Sequence, residues 1–168
     1  MGLFDMFRTD MGATMTPHKI LAISMLYVMA SDGEYDNEEV GQLLSVLGGE
    51  ERGGVIYVGG NNPNLLNEAT QYVKQHSVEH FLAEVKSLNI LTEAQKIYIL
   101  VNMLDSSLSD GQAEAQEQNL FYKFMASFDI PEERINPFFQ VVYFKNDRSI
   151  FLNPNSPSTK TAPAIKLG

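Results

Sequence analysis

The stretch SDGEYDNEE, residues 31–39, decides how this chain is read. Five carboxylates surround an Asp-Gly turn between two apolar segments. Before it runs ILAISMLYVMA (20–30), and after it Val40, Leu43, Leu44 and Leu47 recur at helical spacing. The pattern is helix, acidic turn, helix. It occurs again at SDGQAEAQE, residues 109–117. Asp32 aligns with Asp110, Gly33 with Gly111, Asp36 with Glu114 and Glu39 with Glu117, all 78 residues apart. Met25-Leu26 and Met103-Leu104, in the helices that lead into the two turns, align at the same offset. Duplication with a pseudo-twofold axis is the simplest account of such a repeat.

Outward from the two copies, helix signals recur along the chain. Thr16-Pro17 sets a capping residue before a proline at the first helical position. The second helix starts near Asp36 and is stopped by Gly48-Gly49. A Gly-rich loop follows (48–62), whose VIYV reads either as a short extended piece or as a connector tucked onto the core. Asn62-Pro63 opens a third helix to about Gln75, and Ser77 caps a fourth. Thr92 with Gln95 forms a capping box for a fifth, and a sixth spans Glu114 to Phe128. Pro131 opens a further turn or short helix. Asn136-Pro137 starts PFFQVVYFKN, either a buried helix or a strand paired with SIFL across KNDR. The tail from Asn153 is Pro- and Ser-rich and reads as disordered. The expected organisation is one all-α domain over 1–152, with repeat one at 16–48, repeat two at 92–128, and a tail at 153–168.

Length and composition agree with this. The 168 residues suit one domain with a real core, and there is no cysteine for disulfide or thiolate chemistry. No apolar run reaches the ~20 residues of a bilayer span, and MGLFDMF resembles neither a signal peptide nor a myristoylation site. A cytoplasmic location is therefore expected. With 21 acids against 12 bases the net charge is −9, which argues against nucleic acid as a partner. The acids are unevenly placed. Seven fall in the base-free interval between Lys19 and Arg52, and four in that between Lys96 and Lys123. These two intervals hold the two acidic turns.

The spacing Asp, Gly, then Glu seven after the Asp is that of the second half of an EF-hand loop. The leading ligand positions would be Val28 and Ala30 in one copy and Ser106 and Leu108 in the other, so neither copy is an EF-hand. Facing each other, the copies would bring together Asp32, Asp36, Glu39, Asp110, Glu114 and Glu117. Two like charges ~5 Å apart repel by roughly 3 kcal/mol at an effective dielectric of about 20, so such a cluster calls for a cation, raised pKa values or distance. An all-oxygen donor set favours Ca²⁺, Mg²⁺ or Mn²⁺ over Zn²⁺. The other reading is of two well-capped turns: Asp36 precedes Glu39 as in a capping box, and acids suit helix N-termini. Both readings stay open on the residues alone.

MASDGEYDNEE (29–39) and LSDGQAEAQE (108–117), with the MGLFD start, resemble the TerB family of bacterial tellurite-resistance proteins over residues 1–145. The resemblance implies an all-α bundle of about seven helices with an acidic metal-binding face, and no enzymatic activity. It implies that the six carboxylates named above are ligands, with Ca²⁺ first among the cations. It further implies a role in tellurite or other stress resistance, with protein partners in a membrane-associated Ter-type complex. The chain would be cytoplasmic or peripheral at the inner membrane, and a homo-oligomer is left open.

Two rival functions come from other features. The acidic face would dock a basic partner without metal. Alternatively, HSVEH (76–80) fits the H-x-x-E-H pattern of zinc peptidases, with Glu79 as base. If Ser77 caps the helix, His76 lies outside it and the i, i+4 pairing with His80 is lost. Lys19, Lys96 and His18 have no legible partner in the sequence.

Overall fold

The computed structural model describes residues 14–30, 43, 62–108 and 115–152. Among these there are seven helices and no strand: α1 (Pro17–Met29), α2 (Asn62–Gln75), α3 (Val78–Leu88), α4 (Glu93–Ser107), α5 (Ala115–Ser127), α6 (Glu132–Asn146) and α7 (Ser149–Leu152). The expected all-helical class holds for the described residues. The helix expected from Asp36 lies outside them except for Leu43, which is helical and fully buried. The Gly-rich loop and the tail also lie outside the described residues.

The helix starts follow local chemistry. Thr16 accepts a hydrogen bond from the Lys19 amide, and Pro17 sits where its missing N–H has no role. Ser77 accepts from the His80 amide. Thr92 and Gln95 form the reciprocal capping box, each side chain accepting from the other's backbone N–H. The α5 C-terminus closes differently. Asp129 takes the left-handed conformation (φ 54°), while the Ile130 amide reaches back to the Met125 carbonyl. This is a Schellman closure with an aspartate where glycine is usual.

Helix α1 is apolar on every side, and Lys19 through Met29 are all buried. A helix of this kind needs neighbours on all faces. It packs on α2 and α4; α4 in turn packs on α5 and α6, and α3 packs on α5. Aromatic rings join these helices through the core. Phe81 of α3 lies 5.5 Å from Tyr27, 5.8 Å from Tyr72 and 6.0 Å from Phe124, and Phe124 stacks edge-on against Phe128 at 5.7 Å. Two lysines whose partners were not legible in the sequence are accounted for. Lys19 pairs with Glu68 of α2 at 2.7 Å, and Lys96 donates to the Phe128 carbonyl at 3.3 Å.

Residues 132–146 differ from the expectation. The helical alternatives hold after Pro131 and after Pro137, but as one continuous helix that runs through the proline and is only partly buried, and the strand-hairpin alternative is overturned because SIFL is itself helical. An interior proline costs about 3 kcal/mol through the lost amide and a clash with the carbonyl four residues back, here Glu133. The buried Ile135 and Val142, either side of it, hold the helix in place. Ion pairs tie both ends to α4. Arg134 Nε donates to Glu93 at 3.0 Å, while Lys145 and Asn146 donate to the Asp105 carboxylate at 2.6 and 2.8 Å.

Candidate functional site

The acidic segments follow α1 and α4 in the sequence, and these two helices pack on each other. Both helices end alike. Ala30 caps α1 at φ −80°, ψ −5°, and its amide bonds to the carbonyls of Leu26 and Val28. Leu108 caps α4 at φ −98°, ψ 0°, and its amide bonds to those of Leu104 and Ser106. Cap and acceptors are all related by the 78-residue offset. Met25 and Met103, Leu26 and Leu104, and the helical Leu43 and Phe121 are buried at positions 78 apart, but burial as a whole differs: α1 is buried from Lys19 to Met29, whereas Tyr98, Val101, Asn102, Asp105 and Ser106 of α4 are not.

Of the six candidate ligands, Glu117 is described. It is partly buried in the first turn of α5, where a carboxylate favours the helix dipole. Asp32, Asp36, Glu39, Asp110 and Glu114 lie outside the described residues. Among the described residues alone, no group of three or more His, Asp or Glu side chains could hold a metal ion.

The HSVEH segment is fully described. His76 follows the last residue of α2, and Ser77 caps α3, so the two histidines do not share a helix. Their rings nevertheless meet, stacked 4.5 Å apart and only 13° from parallel. Imidazole binds a metal in the plane of its ring, so stacked rings direct their nitrogens side by side rather than at one point. Glu79, the would-be base, is held by Lys123 at 2.8 Å, and this hydrogen bond keeps its carboxyl below the usual range. Beside this pair, Tyr72 donates its hydroxyl to Glu84, while His80 lies 4.0 Å from the same carboxylate. Burial, then the bond and charge of Glu84, push the Tyr72 phenol upward. The cluster is a hydrogen-bonded seam between α2 and α3, sealed by the Tyr27 hydroxyl on the His76 carbonyl at 2.8 Å.

A third feature was not read from the sequence. An open groove of about 420 Å³ lies between α4 and α6. Ala94, Ile97, Tyr98 and Val101 line one side and Phe138 the other, with the Glu93–Arg134 ion pair at its rim. Its only sequence signal was the density of aromatic and β-branched residues in PFFQVVYFKN. Compared with known proteins, the chain matches no family model, no curated protein and no solved structure.

Proposed function

We propose that the protein is a non-enzymatic, divalent-cation-binding protein of TerB type, built as a pseudo-twofold duplication. A cation held by Asp32, Asp36, Glu39, Asp110, Glu114 and Glu117 would bridge the two copies and fix their relative geometry. The observation that carries this reading is the shared termination of α1 and α4. Two helices that pack on each other end in the same cap geometry, and an Asp-Gly pair follows each in the sequence at one offset. A donor set of carboxylates alone suits a hard cation, Ca²⁺ first, with Mg²⁺ or Mn²⁺ as alternatives. The role that follows from the resemblance is tellurite or stress resistance in the cytoplasm or at the inner membrane periphery. Metal occupancy would there govern binding to partners of a Ter-type complex.

Thermal unfolding in the presence of Ca²⁺, Mg²⁺ or Mn²⁺ tests the reading. A ligand at about 100 times its Kd adds roughly 2.7 kcal/mol to a folded state that alone binds it. For a chain of this size that raises Tm by about 5–10 °C. Asp32→Ala combined with Asp110→Ala abolishes the shift. No shift in the parent protein at millimolar metal sinks the proposal. Salt-sensitive capture of a basic partner, with no response to metal, would instead support a metal-free acidic docking module.

A further inference from the structure

The face formed by α6 and α7 lies outside both repeats along the chain. Phe138, Val141 and Phe144 recur at three-residue steps and so cover a continuous stripe of α6 beside its buried edge at Ile135 and Val142. They are 41%, 68% and 54% exposed. After a two-residue turn, α7 presents Phe151 and Leu152 at 95% and 86% exposed. Tyr98 extends the apolar surface across the groove onto α4.

With about 200 Å² per aromatic side chain, the open parts of Tyr98, Phe138, Phe144 and Phe151 amount to roughly 450 Å². Val141 and Leu152 enlarge this. A typical monomer's largest apolar patch is about 300–600 Å², and a stable dimer covers about 800 Å² on each partner. The patch is thus as large as a monomer's largest and would supply about half of one partner's share of a dimer interface.

Charge selects the occupant. The chain as a whole carries −9, a repulsive charge for two copies that approach each other. Helices α4 and α6 with the turn into α7 hold five acids and four bases, so this region is nearly neutral within an acidic molecule. Shape points the same way. Phe151 and Leu152 project while the α4–α6 groove is concave, and a twofold contact lets each copy supply both the projection and the recess.

We infer that the protein forms a twofold dimer through this face, with Phe138, Val141 and Phe144 at its centre and Phe151 of each copy directed at the other's groove. The inference is independent of the metal reading. Sedimentation equilibrium of the full chain, from about 1 to 100 µM, tests it. A monomer–dimer equilibrium is expected. Val141→Glu and Phe151→Glu each raise its dissociation constant by about 30-fold, the scale of a hot-spot residue. Both positions are exposed, and an unchanged circular dichroism spectrum confirms that the variants fold. Gln71→Glu, on the exposed surface of α2, leaves the constant unaltered. An apolar, near-neutral contact also survives 0.5 M NaCl. A parent that stays monomeric throughout the range overturns the inference. So does a dimer that salt dissolves, or one that both variants leave intact.

Discussion

Removing Glu68 should harm the protein far more than removing Lys19, the residue it pairs with. Lys19 is 8% exposed, and its ammonium lies 2.7 Å from the Glu68 carboxylate, which is better hydrated. Truncating one partner of a buried pair strands the other charge and costs about 3–5 kcal/mol, less where the charge left behind is reached by water, as that of Glu68 is and that of Lys19 is not. Because Glu68 is partly open to water, the lower end applies, and Glu68→Ala is expected to cost about 2–3 kcal/mol. Lys19→Met keeps the packing of the stem, and the Glu68 carboxylate is open enough for water to solvate it, so the cost is below about 1 kcal/mol. In the Lys19→Met background, Glu68→Ala should then cost less than about 1 kcal/mol, giving a coupling of roughly 2 kcal/mol. Urea denaturation followed by circular dichroism gives all four corners of this cycle, with an unchanged slope confirming that stability alone has moved. Equal losses in the two single variants would refute the reasoning, as would additive behaviour in the double variant.

Two further outcomes follow from the description. Burial works against ionisation of Asp105, but the hydrogen bonds from Lys145 and Asn146 and the Lys145 charge outweigh it, so its carboxyl titrates below the usual range. Its contribution is therefore present above the unfolded carboxylate pKa of about 3.9 and is lost as pH falls through the lower folded value. Asp105→Asn should cost about 1 kcal/mol at pH 7, a difference that shrinks in acid when melts are compared across pH. Asp129→Gly relieves the left-handed backbone at the end of α5 and gives up only an exposed 3.7 Å contact with Lys86. It should raise stability by about 0.5–1 kcal/mol, and a lower Tm than the parent's would contradict the closure described.

The helix starts were legible because their chemistry is local. Thr16-Pro17, Ser77 and the Thr92–Gln95 box act over three residues, and each caps where the spacing placed it. Helix α6 was not, because Pro137 sends the correct local signal to stop and is overruled by burial of Ile135 and Val142 and by ion pairs to α4. Those contacts join residues about 40 positions apart, beyond the reach of any local pattern. The groove and the open face were hidden for a related reason. Val141 and Val142 are the same side chain at adjacent positions, yet one is largely in water and the other in the core. Periodicity identifies apolar residues but does not say which of them lack a cover. At the candidate metal site, the 78-residue offset was legible, and the caps of α1 and α4 share it. The sequence also placed Glu117 at the start of a helix, where it stands.

The enclosure of α1 bears on how the chain is made. This helix leaves the ribosome before the described helices that pack on it, α2 and α4, and α4 is complete only at Ser107. Synthesis proceeds at about 5–20 residues per second, so some 4–16 s pass between the emergence of Met29 and that of Ser107. During that interval an apolar segment with no polar face has no permanent shelter. Nascent chains of this protein thus present a long-lived handle for a co-translational chaperone, and the schedule is set by the distance along the chain between a helix and its last neighbour.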